Sequence, residues 1–314
     1  MLVYRGFSQT APGATVLTIG NFDGVHLGHR ELLVRLKASA ARENLLPAVL
    51  TFEPHPREFF APESAPARLS TLREKLELIA DEGVALAYVC HFNARFAALT
   101  AEEFIKRVLV DSLRVKHLFI GDDFRFGAGR QGDFALLREA GQRYGFQVEA
   151  MDSVTIEGER ASSSAVRDAL ADGQLEHAAR LLGRPYSIDG RVIHGDKMGR
   201  HLGFATANIR IKHDKPPLMG VFAVEVHGLN GKPHQGVANL GVRPSANQLA
   251  RPILEVHLFD FSADIYGKHL NVRFLHKLRD EMKFPGLDAL KSQIASDVRE
   301  ARAYFHRRGA EAQR

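Results

Sequence analysis

Two histidines lie three residues apart where a short apolar run meets a helical pattern, in the segment Gly-Asn-Phe-Asp-Gly-Val-His-Leu-Gly-His of residues 20–29. A helix start offers unpaired backbone N–H groups and the positive end of the helix dipole, so it can hold a phosphate group. His26 and His29 can face the same ligand there, and their imidazoles can donate hydrogen bonds to phosphoryl oxygens as charge develops on them.

The alternative for this segment is a glycine turn with solvent-facing histidines. That alternative suits an isolated histidine pair, but the order strand, glycine, histidine, helix favours a phosphate site. The candidate residues are Gly20, Asn21, Phe22, Asp23, Gly24, His26, Gly28 and His29.

A second predicted helix start follows three serines, Ser162, Ser163 and Ser164. Serine hydroxyls can cap a helix or bind phosphate. Arg167, three residues further on, can bind a phosphate group through two parallel hydrogen bonds. Taken alone, such a pattern is most often only a helix cap.

Two other glycine-rich segments match phosphate-binding patterns but fail on context. Residues 127–132 match G-x-G-x-x-G, with Asp152 at the spacing of a ribose ligand, but residues 122–126 separate them from the preceding strand. Residues 190–197 resemble a P-loop but read Gly-Asp-Lys where Gly-Lys-Ser/Thr is needed. Neither a dinucleotide site nor a P-loop is therefore predicted.

In the first half, short apolar runs alternate with helical patterns, and this alternation implies a parallel sheet covered by helices. Ligands bind such sheets at the carboxyl ends of the strands, where the strand order reverses. Thr100 and Glu103 have the spacing of a capping box and predict a helix start. The predicted strands are 15–20, 48–52, 86–90, 115–121 and 146–151, and the predicted helices contain residues 32–40, 72–79, 104–109 and 134–144.

The pattern changes near Gly183-Arg184-Pro185, after a predicted helix at residues 175–182 that Gly183 would cap. Short strand-like runs separated by turn residues then predict a small antiparallel barrel or sandwich, closed by an amphipathic helix that contains residues 287–301. We expect two domains, 1–185 and 186–314. The predicted strands are 190–194, 221–227, 236–240, 254–261 and 270–278.

The composition is that of a globular protein, since 45% of the 314 residues are hydrophobic and 25% are charged. A net charge of +5 suits anionic substrates such as nucleotides. The single cysteine, Cys90, excludes a disulfide framework and a multi-cysteine zinc site. No apolar run approaches the roughly 18 residues of a membrane helix, and no signal peptide is evident. We expect a soluble, cytoplasmic protein.

A nucleic-acid-binding module is the rival class, given a sequence pI of about 9.3 and a small barrel. Such modules usually present aromatic side chains beside a basic stripe. This chain has no Trp and six Tyr, and its basic residues alternate with acidic ones, as in residues 279–283. We expect small-molecule substrates and neither a nucleic-acid nor a membrane partner.

Residues 20–29 resemble the His-x-Gly-His signature of nucleotidyltransferases. Their sequence Gly-Asn-Phe-Asp-Gly-Val-His resembles in particular the prokaryotic bifunctional riboflavin kinase/FAD synthetase family. Residues 51–56 (Thr-Phe-Glu-Pro-His-Pro) resemble the flavin loop of that family, and residues 121–127 (Gly-Asp-Asp-Phe-Arg-Phe-Gly) resemble its adenine-site loop. Residues 162–167 resemble its Ser-Ser-Thr-x-Ile-Arg motif, here with Ser164 and Val166.

The second half is similar to the flavokinase module of the same family, so the resemblance covers nearly the whole chain in order. One departure is Ala205-Thr206-Ala207-Asn208, where the family usually has Pro-Thr-Ala-Asn. The matching segments are residues 194–196, 199–200, 202–208, 236–239 and 255–261.

The resemblance implies an α/β nucleotidyltransferase domain with a Rossmann-like parallel sheet, followed by a six-stranded antiparallel flavokinase barrel and a terminal helix. It implies two reactions: riboflavin and ATP give FMN and ADP, and FMN and ATP give FAD and pyrophosphate, with Mg²⁺ as cofactor. The role of Asp23 stays open between positioning the glycine loop and contacting adenosine.

The resemblance also implies roles for particular residues. His26, His29, Arg167 and Glu255 would be catalytic. Nucleotide and phosphate would be bound by the glycine segment, the three serines, Asp123, Gly195, Lys197 and Gly199; flavin by His55, Pro56, Phe60 and Arg279; and Mg²⁺ by Thr206 and Asn208.

The two reactions make different chemical demands. The second pKa of the FMN phosphate lies near ~6, so this nucleophile needs no protein base. The ribityl hydroxyl is a neutral alcohol, and a carboxylate such as Glu255 can accept its proton. Strand alternation would place Glu255 and His257 on the face opposite their apolar neighbours, toward a cavity. On pattern alone Glu255 would be a solvent-facing glutamate, and the resemblance favours a base.

Thr206 and Asn208 share one face of an extended segment. A hydroxyl and an amide oxygen are hard ligands that suit Mg²⁺, which also keeps water and phosphate ligands. An ordinary turn is the alternative, and again the resemblance favours the metal site.

Overall fold

The computed structural model describes residues 1–121, 123–195, 204–243 and 251–311, with the backbone alone at residues 243 and 251. Contacts within the chain divide it into two compact units. The first unit comprises residues 1–66 and 72–162, and the second comprises residues 67–71 and 163–314. None of the helices in the described ranges has both the length and the apolar character needed to span a bilayer.

The first unit is built on a six-stranded, all-parallel sheet, which confirms the fold class predicted for the first half of the chain. The strands are β1 (Leu2–Arg5), β2 (Thr15–Ile19), β3 (Leu46–Glu53), β4 (Leu86–His91), β5 (Val115–Gly121) and β6 (Gln147–Met151), with a separate hairpin of β7 (Thr155–Ile156) and β8 (Glu159–Arg160). Within this sheet, the short edge strand β1 has no counterpart among the predicted runs, because four mostly exposed residues give no periodic signal, and the two-residue strands β7 and β8 outside the sheet were not predicted either.

The strand order is β1-β4-β3-β2-β5-β6, so the order reverses between β2 and β5. The carboxyl ends of these two strands therefore flank the crevice where ligands bind in open parallel sheets. The segment 20–26, called the glycine loop below, leaves β2 at this point.

Helices cover both faces of the sheet, because successive residues of the central strands point to opposite sides. On one face, Val16, Val49 and Phe119 pack with Leu36 and Ile79. On the other face a second core forms around Leu17, Leu50, Leu118, Phe104 and Leu137.

The capping box that Thr100 and Glu103 predict is present, and it opens a helix whose later part has wider, π-type hydrogen bonding. The helical segments of this unit are α1 (Leu27–Glu43), α2 (Pro56–Phe60), α3 (Leu72–Asp81), α4 (Ala94–Ala97), α5 (Ala101–Glu103), the π-helical Phe104–Ser112, a 3₁₀ turn (Ala128–Arg130) and α6 (Phe134–Tyr144).

The second unit is a closed antiparallel barrel of six strands in the order β10-β13-β12-β11-β14-β9, which confirms the predicted barrel. The sequence pattern missed β10, a four-residue strand that includes Ala207 and Asn208, two residue types with low strand propensity. The strands are β9 (Ser187–Ile193), β10 (Ala207–Arg210), β11 (Gly220–His227), β12 (His234–Arg243), β13 (Arg251–Leu258) and β14 (His269–Arg279).

Among the residues that the structure describes, three helices accompany the barrel: α7 (Ser163–Ala171), α8 (Leu175–Leu182) and α9 (Leu287–Glu311). Gly183 caps α8 in the left-handed conformation, as its position predicts. Ala301 and Phe305 of α9 pack on the outside of the barrel strands. Contacts group α7 and α8 with the barrel, whereas the change of sequence pattern suggests a boundary near residue 185.

Candidate functional site

The glycine loop has an unusual backbone that its buried side chains hold in place. Phe22, Gly24 and Val25 have φ angles of 49°, 80° and 40°, in the left-handed region that disfavours Phe and Val. The side chains of Phe22 and Val25 are nearly inaccessible and belong to the core of the first unit. Burial therefore fixes a backbone that the residues would not adopt by themselves.

The structure brings His26 and His29 together, as their spacing predicts. Their rings stack with centroids 3.7 Å apart, and the ring of Phe22 lies 4.8 Å from that of His29. His26 is the N-cap residue of α1, its side chain does not cap the helix, and the first turn holds no acidic residue. The first backbone N–H groups of a 17-residue helix thus begin beside the stacked histidines.

Burial lowers the pKa of His29 well below its ordinary value, and the nearby charges of His26 and Lys75 lower it further. His29 is half-buried as a residue, while its Nδ1 is shielded from solvent. Nδ1 of His29 and Oδ1 of Asn21 have no hydrogen-bond partner among the described residues. A neutral imidazole with an unused buried nitrogen suits a bound ligand that completes its hydrogen bonds.

We expect the lowered pKa of His29 to make the first unit less stable in mild acid. Unfolded His29 binds a proton near pH 6.5 and folded His29 does not, so its contribution is present above that pH and is lost as the pH falls. Each pH unit between the two pKa values costs about 1.4 kcal/mol. Urea unfolding at pH 7.5 and 5.5 should show this extra loss in the parent chain but not in His29→Gln. Equal pH dependence in the two chains would contradict the expectation.

Gly28 leaves room for the ring of His26. A Cβ atom at this position would lie 3.1 Å from two atoms of that ring and 3.1 Å from the carbonyl oxygen of Ala161. These contacts are tighter than side chains normally tolerate, so a larger residue would displace the His26 ring or the backbone at Ala161.

Thr51 and Lys75 support the glycine loop. The sequence analysis included Thr51 in the flavin-loop motif without giving it a role, and it did not single out Lys75. The Thr51 hydroxyl, at the carboxyl end of β3, donates to the carbonyl oxygen of Asn21 at 3.1 Å. Lys75 Nζ, on α3, donates to Thr51 Oγ1 at 3.4 Å. A signal was available for Lys75, because it lies at helical spacing from Leu72 and Ile79 on the apolar face of α3.

His55 and Pro56 open the short helix α2. The backbone N–H of Arg57 donates to His55 Nδ1 at 3.1 Å, and the N–H of His55 donates to Glu58 Oε2 at 3.0 Å, which completes a capping box. Phe60, at the end of α2, is 65% exposed.

The exposed ring of Phe60 belongs to an aromatic group rather than standing alone. Its centroid lies 5.1 Å from that of Phe59 and 5.5 Å from that of Phe92. Phe92 in turn contacts the rings of Phe52 and Phe96. A planar apolar ligand can stack on such a surface.

The remaining candidates for binding nucleotide and phosphate in the first half of the chain are divided between the two units. Asp123 is exposed, and its carboxylate lies over Gly121 at the carboxyl end of β5. Ser162 belongs to the first unit, whereas Ser163, Ser164 and Arg167 belong to the second. Arg167 Nε donates to the carbonyl oxygen of Ala67 at 2.6 Å within that unit.

Glu255 lies on β13 between two asparagines of the neighbouring strands. The register places it opposite Asn208 of β10 on one side and opposite Asn239 of β12 on the other. Directly opposed residues share a face of a sheet, so two amide side chains flank the carboxylate. Sequence reasoning included Asn239 in a motif without giving it a role, because strand register cannot be read from one strand.

Glu255 and His257 are partly exposed while the apolar residues between and beside them are buried, as the alternation predicts. A cavity of about 440 Å³ adjoins Thr206, but β13 lines it with Val256 and Leu258, on the face opposite Glu255. The cavity expected beside Glu255 is therefore not this one. The wall of the cavity beside Thr206 includes Tyr266, whose ring lies 3.9 Å from that of His194.

Two contacts position the segment that contains Thr206 and Asn208. His257 Nδ1 lies 2.9 Å from the carbonyl oxygen of Ala205, and the Phe204 ring meets the His257 ring edge-on. A Cβ atom on Gly195 would overlap the side chain of Asn208. The backbone at Ala205 thus has a side-chain anchor, and Asn208 needs a glycine beside it.

Arg279, predicted to bind flavin, forms a bidentate ion pair with the buried Asp297 of α9, with N–O distances of 2.9 and 2.8 Å. Its third nitrogen donates to the carbonyl oxygen of Asp280 at 2.9 Å. A flavin contact by Arg279 stays a prediction.

Lys197 and Gly199 lie outside the described residues.

Comparison with known proteins gives a consistent result along the chain. Residues 8–165 match the FAD synthetase family, and residues 182–305 match the riboflavin kinase family. A protein of Escherichia coli (strain K12) named "Bifunctional riboflavin kinase/FMN adenylyltransferase" is 52% identical over 308 residues, which cover 97% of this chain and 98% of that protein. A protein of the same name from Haemophilus influenzae is 51% identical over 92% of this chain and 94% of its own length.

Among solved structures, one titled "Crystal Structure of Macrolide-efflux Protein from Streptococcus pneumoniae" has a TM-score of 0.81. It is 29% identical and the match covers 95% of this chain and 97% of that one. The efflux in that title is said of the streptococcal protein, and its contribution here is the likeness in fold.

Proposed function

This chain belongs to the family of bifunctional riboflavin kinase/FMN adenylyltransferases, and we propose on that premise how its residues divide the two reactions. It phosphorylates riboflavin to FMN and adenylylates FMN to FAD, so its substrates and products are small molecules. We assign adenylylation to the sheet unit and phosphorylation to the barrel unit. The stacked histidines at the start of α1 are the observation that carries the assignment.

In adenylylation, a phosphate oxygen of FMN attacks the α-phosphorus of ATP, and the bond to the β-phosphate breaks to release pyrophosphate. Because the FMN phosphate is already ionised above ~6, no proton has to be removed from the nucleophile. The protein has to position the two phosphates and stabilise charge on the α-phosphoryl oxygens. The first N–H groups of α1 and the neutral ring of His29 are suited to that role.

The flavin of FMN would rest against the aromatic surface of Phe59, Phe60 and Phe92 near His55 and Pro56. An exposed phenylalanine such as Phe60 is costly to leave in water unless a ligand or partner covers it. A phosphate contact by Arg167, which belongs to the second unit, stays a prediction.

In phosphorylation, the terminal ribityl hydroxyl of riboflavin attacks the γ-phosphorus of ATP, and ADP leaves. Glu255 accepts the hydroxyl proton, because a neutral alcohol must lose it as the new P–O bond forms. Asn208 and Asn239, opposite Glu255 in the barrel register, would orient its carboxylate. The cavity beside Thr206 would hold part of the nucleotide.

Thr206 and Asn208 are the residues that would hold Mg²⁺. A hydroxyl and an amide oxygen, together with substrate phosphates, form a donor set that suits Mg²⁺, and a Cβ atom on Gly195 would overlap the side chain of Asn208. When bound, Mg²⁺ neutralises charge on the phosphates. ATP as phosphate donor, Mg²⁺, the boundary near residue 185 and the cytoplasmic location stay predictions.

We expect Gly195→Ala to raise the Mg²⁺ concentration needed for half-maximal FMN formation by about tenfold or more, because the added methyl group displaces Asn208. A Mg²⁺ titration of each half-reaction measures this effect. The matched control is Gly286→Ala, in the same unit, where a Cβ atom meets nothing within 4 Å. Equal Mg²⁺ dependence in the two variants would remove Asn208 from the metal site.

Two separate assays test the division of labour: riboflavin with ATP, and FMN with ATP, each followed by separation of FMN and FAD. Chains altered in one unit should lose only the reaction assigned to that unit. An alteration in one unit that slows both reactions equally in folded protein contradicts the assignment.

A further inference from the structure

A lysine lies in the interior of the first unit, beneath the glycine loop. Only 3% of Lys75 is exposed, and Thr51, which it contacts, is fully buried. Lysines are almost never buried this deeply unless the ammonium group is paired, because that group gives up strong hydration. Its position on the apolar face of α3, where a hydrophobic residue would pack more easily, points to a purpose other than stability.

Two hydrogen bonds link Lys75 to the loop through Thr51, and the direction of each is fixed. An ammonium group can only donate, so Thr51 Oγ1 must accept from Lys75 Nζ at 3.4 Å. The single hydroxyl proton of Thr51 is then directed to the carbonyl oxygen of Asn21, 3.1 Å away. Lys75 therefore orients Thr51, and Thr51 anchors the backbone immediately before the left-handed residues of the loop.

We propose that Lys75 is a positioning residue for FMN adenylylation, which acts on the glycine loop through the hydroxyl of Thr51. The inference rests on the assignment of adenylylation to the first unit. Lys75 reaches the loop through another residue and is therefore not a catalytic residue.

The charge of Lys75 helps to lower the pKa of His29, after burial and the charge of His26. His26 lies at the end of the glycine loop, and Lys75 lies on α3. Two rings contact that of His29: the ring of His26, and the ring of Phe22, which carries no charge. The site therefore favours a neutral ring on His29. The ring can then donate a hydrogen bond to a phosphoryl oxygen without exchanging a proton with it.

Two substitutions at Thr51 test the action on the loop. Thr51→Val keeps the shape and removes the hydroxyl, whereas Thr51→Ser keeps the hydroxyl. We expect Thr51→Val to lower kcat/KM for FMN adenylylation roughly 2- to 12-fold, the effect of one neutral hydrogen bond, and Thr51→Ser to restore it. The midpoint of the His29 titration, followed by NMR of labelled histidine, should stay the same in both variants.

Lys75→Met tests the action of the charge, because methionine fills similar space without a charge. We expect adenylylation to fall about 10- to 100-fold and the His29 titration midpoint to rise, since one cause of its lowered pKa is gone. Lys116→Met, at an exposed position of β5, is the matched control and should change neither quantity.

Riboflavin phosphorylation by the same chains separates the possible failures. If Lys75→Met slows phosphorylation rather than adenylylation, the assignment of the units fails. If phosphorylation is intact and neither adenylylation nor the His29 titration changes, the role of Lys75 fails while the assignment stands. Should Lys75→Met not fold, Thr51→Val decides, and an unchanged adenylylation rate in that variant overturns the proposal.

Discussion

Glutamine in place of Glu255 is expected to lower FMN formation from riboflavin by about 10²- to 10⁴-fold, which is the usual cost of losing a general base. Gln keeps the size and polarity of the side chain but cannot accept the ribityl proton. Conversion of FMN to FAD by the same chain should stay near the parent rate, because that reaction needs no protein base. Product separation after incubation with each flavin gives both rates.

Glu225→Gln is the matched control for this substitution. Glu225 lies on β11 of the same barrel and is also partly exposed, but it contacts His227 and Arg273 rather than the asparagines beside Glu255. It should leave both reactions unchanged. Unaltered riboflavin phosphorylation in Glu255→Gln would remove Glu255 from the reaction.

The parts of the fold that depend on local sequence patterns could be predicted from the sequence. The run of apolar residues in β2, the glycines after it and the helical spacing in α1 each follow from short-range rules, and the structure agrees with all three. β10 was not readable, because its pairing with β9 and β13 forms it rather than the propensity of its own residues.

The site was less readable, because its chemistry depends on contacts between distant segments. The three-residue spacing of His26 and His29 predicts their proximity, but the lowered pKa of His29 depends on burial and on Lys75, which is 46 positions away. Asn239 meets Glu255 only through barrel register. The ion pair of Arg279 with Asp297 joins β14 to α9 and likewise has no local signal.

The two proposed sites would require different protonation states of Glu255 and His29. Glu255 is partly exposed on β13, opposite an asparagine on each neighbouring strand. His29 is next to another histidine and shielded at Nδ1, where a ring stays neutral. One site can therefore act as a base while the other supplies only hydrogen bonds and position.

Alanine in place of His29 is expected to lower FMN adenylylation by roughly 10²- to 10³-fold, the effect of removing one donor to a developing oxyanion. Riboflavin phosphorylation should remain near the parent rate and shows that the chain is folded. His29→Gln keeps an N–H donor and should recover part of the lost rate, which a purely structural role in stacking on His26 does not predict. His91→Ala, an exposed histidine of the same unit, should change neither reaction.

The pH profile of adenylylation separates hydrogen bonding from proton transfer at His29. Because the pKa of His29 lies well below its ordinary value, the ring does not titrate near neutrality, and the rate should follow ionisation of the FMN phosphate near ~6. The profile should keep that shape in His29→Gln while its height falls. A rising limb that disappears with His29 would instead identify the ring as a general base. Equal loss of both reactions in folded His29→Ala would show that the histidine pair does not belong to the adenylylation site alone.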